Sequence, residues 1–162
     1  MAFETAFTMD TSSIKYGPGV TREVGHDMKE LGTRRVMVVT DPNLTKSQPV
    51  AVTLDSLRLA GVDAVLFDQS SVEPTDVSFK EAVRFAKDGK YDGYVAVGGG
   101  SSMDTAKAAN LYATYPADLL TYVNAPIGQG KPVPGRLKPL IAVPTTAGTG
   151  SETTGVAIFD LL

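Results

Sequence analysis

A chain of 162 residues is long enough for one domain with its own hydrophobic core and too short for two large ones. Hydrophobic residues make up 43% and charged residues 20%, the balance of a soluble globular protein, which excludes disordered and collagen-like chains. The net charge is −3 with no block of one sign, against nucleic acid or an anionic membrane as partner. There is also no cysteine for a disulfide and no apolar run long enough to span a membrane.

In chain order, Met1–Asp10 lacks the basic region and apolar run of a secretory signal, and a targeting segment already removed is compatible with that. Ile14–Gly19 reads as a peripheral strand and turn. Val20, Val24, Met28 and Leu31 recur at helical spacing, with Gly32 as the stop. Val36–Val39 is a short continuous apolar run, the pattern of a buried strand, ending at Thr40-Asp41-Pro42. Val50, Leu54 and Leu57 mark a second helix closed by Gly61, and Val62–Phe67 a second strand.

Phe79, Ala82, Val83 and Ala86 mark a third helix closed by Gly89. The strand Tyr94–Val97 runs into Gly98-Gly99-Gly100, and a helix of small residues follows over Met103–Ala113. A long Pro- and Gly-rich loop spans Tyr115–Lys138, with a short helix near Asp118–Val123; loops of that length are more often functional or mobile than idle. Leu140–Val143 is a fourth strand and Val156–Phe159 one more. Strands alternating with helices predict an α/β domain with an open, mostly parallel, Rossmann-like sheet.

Three segments carry chemistry. Gly98-Gly99-Gly100-Ser101-Ser102-Met103-Asp104 lies between a strand and a helix. Glycines remove Cβ atoms where a ligand touches backbone, and the helix start offers unpaired N–H groups and a positive dipole end, which together suit a pyrophosphate. The alternative is a tight turn with Ser101 or Ser102 as N-cap. The pattern is not G-x-G-x-x-G and follows a late strand.

Asp41 ends an earlier strand, at the edge where ligands of open α/β sheets lie. There its carboxylate either accepts ribose hydroxyls, favouring NAD over NADP, or closes an Asp-Pro turn. Pro144–Glu152 (PTTAGTGSE), after the fourth strand, is dense in hydroxyls and glycines on the same edge; it either binds phosphate, ribose or nicotinamide amide or is a polar loop.

Asp104 and Lys107 share a helix face. Asp104 at a helix start also favours the dipole, and Lys107 either is solvated or reaches a phosphate. Lys131, Arg136 and Lys138 read as a solvated loop in preference to a carboxylate-binding site. His26, the one histidine, reads as an exposed helix residue rather than a metal ligand. There is no HExxH, CxxC, P-loop or G-x-S-x-G, which leaves hydrolase and kinase readings unsupported.

Thr40-Asp41-Pro42-Asn43-Leu44, Ala96–Lys107 and Ile141–Glu152 together resemble the iron-containing (group III) alcohol dehydrogenase family, within the dehydroquinate synthase-like fold. The resemblance runs the length of the chain in matching order and spacing. Thr11–Val20, Val72–Thr75 and Tyr122–Gly128 resemble one branch, the hydroxyacid-oxoacid transhydrogenases; dehydroquinate synthase and glycerol dehydrogenase share the fold but fit less well.

The resemblance implies a two-domain enzyme with NAD in the cleft, acting on a small alcohol or hydroxy acid. It implies that Asp41 contacts the adenosine ribose, and that Asn43 and Leu44 line the adenine side. Gly98, Gly99, Gly100, Ser101 and Ser102 would hold the pyrophosphate, and Asp104, Thr145, Thr146 and Thr149 would lie toward the nicotinamide ribose and ring. It implies an iron or zinc ion held by an Asp and histidines in a helical C-terminal domain. Those metal-binding segments are absent here, so the expectation for residues 1–162 is the NAD-binding domain alone, inactive by itself. The competing expectations are a stand-alone nucleotide-binding module, or an interaction domain that self-associates through an uncovered apolar face. The compartment implied is the bacterial cytoplasm or the mitochondrial matrix.

Overall fold

The computed structural model describes residues 12–162. Four strands, β1 (Arg35–Val39), β2 (Asp63–Phe67), β3 (Gly93–Gly98) and β4 (Leu140–Pro144), form one fully parallel sheet in the order β2-β1-β3-β4. The helices are α1 (Val24–Glu30, entered through a 3-10 turn at Val20–Glu23), α2 (Gln48–Ala60), α3 (Asp76–Gly89) and α4 (Gly100–Thr114). This is the expected α/β architecture.

Side-chain alternation along the two central strands builds two cores. On one face Val36, Val38, Val95 and Val97 pack with Val24, Met28, Val50 and Leu57 of α1 and α2. On the other, Met37, Val39, Tyr94 and Ala96 pack with Ala82 and Ala86 of α3 and Met103, Ala106 and Ala109 of α4. Burying each large side chain contributes about 1.5–3 kcal/mol relative to exposure. The helix layers fit closely: a Cβ on Gly25 of α1 would overlap the Ser56 carbonyl of α2. The Ser56 hydroxyl accepts the Gly25 amide at 2.9 Å and donates to the Arg22 carbonyl at 2.6 Å.

Successive strands from β1 build outward to β2, then the chain returns past β1 to place β3 and β4 on the other side. The crevice between the carboxyl ends of β1 and β3 is therefore the topological switch point, where ligands of open α/β sheets bind. At the opposite edge the Asp92 carboxylate, just before β3, accepts the amides of Arg34 (3.0 Å) and Arg35 (2.9 Å), which lead into β1.

Five local expectations need correction. Helix α4 starts at Gly100, three residues before the first periodic apolar position, and Gly99 is its N-cap; neither Ser101 nor Ser102 caps it. Helix α3 is closed by Lys90 in the left-handed conformation (φ 51°), not by Gly89, whose lack of a Cβ leaves room for the Tyr91 ring.

Leu31, expected on the buried face of the first helix, follows its last residue and is 54% exposed. Ile14–Gly19 forms no strand: Ile14 and Tyr16 are exposed, and no described neighbour pairs with them. Val156–Phe159 is not a strand either. The residue after it, Asp160, makes one parallel bridge to Thr75 that cannot be extended, since Pro74 has no N–H and Asp76 opens α3.

The long loop between α4 and β4 is tied down. It contains a 3-10 turn at Leu119–Thr121, within the span expected for a short helix. The Asn110 side chain brackets Lys138, donating to its carbonyl at 2.8 Å and accepting its amide at 3.2 Å. Tyr115 donates to the Arg136 carbonyl at 3.0 Å. Both ends of the loop sit at the amino edge of the sheet, opposite the switch point. Lys131 and Arg136 are exposed, as a solvated loop requires, but Lys138 departs from that expectation: it is half-buried and donates its ammonium to the Tyr91 carbonyl at 2.5 Å.

Candidate functional site at the switch point

The three segments singled out in the sequence converge at the carboxyl edge of β1, β3 and β4. Strand β3 ends at Gly98, where a Cβ would lie 2.5 Å from the Ser102 Oγ and 3.7 Å from the Leu44 side chain. That one position joins the β1 loop to the glycine turn. The loop after β4 lies over the same turn. The Thr145 amide donates to the Gly98 carbonyl at 2.9 Å. A Cβ on Gly99 would meet Thr146 Oγ1 at 3.4 Å, and one on Gly100 would meet the Thr149 Cβ at 3.3 Å. Side chains on the glycines would fill this cradle.

The first α4 hydrogen bond from this turn runs from the Met103 amide to the Gly99 carbonyl at 3.2 Å. The amides of Gly100, Ser101 and Ser102 therefore have no intrahelical acceptor and sit at the positive end of the helix dipole. The Ser101 hydroxyl donates to the Val72 carbonyl, and Ser102 is buried beside Gly98. Any anion held here meets backbone N–H groups in preference to those hydroxyls.

On the β1 side, Asp41 closes the turn through one oxygen, Oδ1, which accepts the amides of Asn43 (2.9 Å) and Leu44 (3.2 Å). The Asp-Pro turn is formed, and Oδ2 takes no part in these bonds. Asn43 is exposed and Leu44 half-buried beside Gly98. Thr40, buried, ties β1 to β3 by donating to the Val97 carbonyl at 2.8 Å.

Thr145, Thr146 and Thr149 are exposed, whereas Asp104 is 6% exposed. Its Oδ1 accepts Ser151 Oγ at 2.7 Å and Lys107 Nζ at 3.2 Å, and its Oδ2 accepts the Ile158 amide at 3.1 Å. Ser151, to which the sequence assigned no individual role, is thereby part of the site. Lys107 also donates to the Val156 carbonyl at 2.7 Å and is neither solvated nor free for a phosphate. His26 is exposed and pairs with Glu30 at 3.3 Å. Among the described residues no group of three His, Cys, Asp or Glu side chains is placed to hold a metal ion. No helix is long and apolar enough to cross a membrane, among the described residues.

Known proteins resemble this chain in sequence and in fold. The family model "Iron-containing alcohol dehydrogenase" matches residues 11–161. The chain is 62% identical over 156 residues to the mitochondrial hydroxyacid-oxoacid transhydrogenase of Homo sapiens, covering 96% of this chain and 33% of that protein. It is 52% identical to the probable mitochondrial hydroxyacid-oxoacid transhydrogenase of Dictyostelium discoideum, covering 96% of this chain and 30% of that protein. It therefore spans about a third of the length of the curated relatives it matches.

Among solved structures, a 1,3-propanediol oxidoreductase superposes with a TM-score of 0.82 at 32% identity, over 93% of this chain and 38% of that one. The NADH-dependent butanol dehydrogenase A of Thermotoga maritima superposes with a TM-score of 0.84 at 27% identity, over 95% of this chain and 38% of that one. On sequence, fold and the match across residues 11–161, the chain belongs to the iron-containing alcohol dehydrogenase family.

Proposed function

We propose that residues 1–162 form the NAD-binding domain of an oxidoreductase that moves a hydride between a small alcohol or hydroxy acid and NAD. The observation that carries this reading is the convergence of Gly98–Gly100, the Asp41–Leu44 turn and the Thr145–Thr149 loop on one crevice between β1 and β3. When bound, NAD would supply the hydride acceptor.

The chain's own residues bind and orient. The amides of Gly100, Ser101 and Ser102 hold the pyrophosphate against Gly98 and Gly99. Asp41 accepts a ribose hydroxyl of the adenosine, and Asn43 and Leu44 flank the base. Thr145, Thr146 and Thr149, with Asp104 behind them, line the nicotinamide half. A negative Asp41 repels a 2′-phosphate, which favours NAD over NADP. Resemblance to iron-containing enzymes points to a divalent metal, iron or zinc, in the longer parent. The described residues hold no ligand set for it, so no chemical step is assigned to this chain. The mitochondrial relatives favour the matrix as the compartment of a eukaryotic parent, with the cytoplasm its bacterial counterpart.

Titration calorimetry of the chain with NAD and NADP tests the reading, with Asp41→Ala as comparison. Saturable NAD binding, weaker for NADP and weakened by the substitution, is expected; the absence of NAD binding would overturn it. The second reading is a nucleotide-binding module without catalysis of its own; among the described residues no metal-ligand group stands to argue against it. Metal-dependent alcohol oxidation by the purified chain would exclude that one.

A further inference from the structure

Helix α4 carries two charged side chains that reach back to the far end of the chain. Asp104 and Lys107 are 3.2 Å apart, with side-chain exposures of 9% and 16%. Their polar contacts are spent on residues 151–158. Asp104 accepts from the Ser151 hydroxyl and the Ile158 amide, and Lys107 donates to the Val156 carbonyl at 2.7 Å and to Thr154 Oγ1 at 3.5 Å. That stretch has no helix or strand of its own among the described residues, so these contacts do for it what a ladder does for a strand. Beyond it, the Asp160 bridge and the Phe159 ring, 5.1 Å from Phe79, fasten the chain to α3.

We infer that Asp104 and Lys107 are positioning residues that set the nicotinamide side of the crevice. The inference rests on the NAD-binding reading above. The connection runs through named contacts: Asp104 holds Ser151, the Ser151 amide meets Thr149 Oγ1 at 3.4 Å, and Thr149 sits against Gly100. A carboxylate one turn into α4 thus places the threonine loop over the N-terminus of that same helix. Both Asp104 oxygens are occupied by protein donors, which assigns it to arranging the loop and leaves the ligand contacts to the threonines. The pair therefore affects the nicotinamide half of a dinucleotide more than the ADP half, which is held chiefly by Asp41 and the glycine turn.

The test combines hydrogen exchange and calorimetry on the chain and on Asp104→Asn and Lys107→Met, with NAD and ADP as separate probes. In both variants the amides of residues 151–158 are expected to exchange about tenfold faster while those of β1 and β3 keep their protection. The ratio of NAD to ADP affinity is expected to fall about tenfold with ADP binding retained. Unchanged exchange at 151–158 would overturn the positioning role. Equal losses of NAD and ADP affinity would reduce the pair to general support of the fold. If the unsubstituted chain binds neither probe, the nucleotide reading fails and its nicotinamide consequence with it, while the exchange result still decides whether the pair holds the segment.

Discussion

Gly98 and Ser102 stand so close that a Cβ on Gly98 would lie 2.5 Å from the Ser102 Oγ and 2.8 Å from its Cβ. Gly98→Ala therefore forces the start of α4 away from the end of β3. The expected cost is about 1–3 kcal/mol of stability, together with loss of NAD binding, since the helix amides lose their aim. Adding Ser102→Gly removes the atoms in the way and recovers part of the lost stability, the remainder being the strain of a side chain at the φ of 159° that Gly98 adopts. Urea titration of the single and double variants checks this, and a double variant no more stable than the single would refute the steric account.

Gly25 makes the equivalent contact between α1 and α2, where a Cβ would overlap the Ser56 carbonyl. Backbone cannot rotate away as a side-chain tip can. Gly25→Ala is expected to destabilise by about 2–3 kcal/mol, with no preferential effect on nucleotide affinity in the fraction that folds. Thermal unfolding alongside calorimetry separates the two quantities.

Tyr94 lies in the central strand, 0% exposed, and its hydroxyl has no hydrogen-bond partner among the described residues. An orphaned buried hydroxyl costs about 1–3 kcal/mol, so Tyr94→Phe is expected to stabilise the fold. Burial also holds the phenol pKa above its ordinary value of 10.0, with the neighbouring Tyr91 adding to the rise. The folded state then keeps a proton that the unfolded chain releases, so stability falls as pH rises above about 10. Tyr94→Phe should flatten this alkaline loss. Denaturant midpoints between neutral and alkaline pH, equal in slope for both proteins, would count against it.

Strand β4 pairs with β3 on one side and with no strand on the other, among the described residues. Val156, Ile158, Leu161 and Leu162 are exposed nearby in sequence. Open edges and uncovered apolar side chains seek partners. Sedimentation velocity is expected to show association that grows with concentration, whereas a single monomer boundary throughout would exclude it.

Short apolar runs such as Val36–Val39 and Tyr94–Val97 announce buried strands because both faces of a parallel sheet are covered. Helix ends were harder to read. The first turn of α4 is Gly-Ser-Ser, residues without apolar period, and Gly89 is there for the Tyr91 ring instead of for a left-handed cap. The meeting of three loops on one edge was legible, since strand direction alone places them there. What joins them was not. Asp104 meets Ser151 and Ile158 across 47 and 54 residues of chain, and local patterns carry no information at that separation.

The Asp92 carboxylate grips the amides of Arg34 and Arg35 at the end of the sheet remote from the crevice. It acts as the zero mark of a ruler. From there β1 and β3 run in step, Val36 beside Gly93 through Val39 beside Ala96, until one delivers Asp41 and the other Gly98. A slip of one residue would move one loop past the other by about 3.3 Å and turn every strand side chain to the wrong layer. The spacing between a ribose-sized and a phosphate-sized feature is thus measured out from a turn that no nucleotide at the crevice would touch.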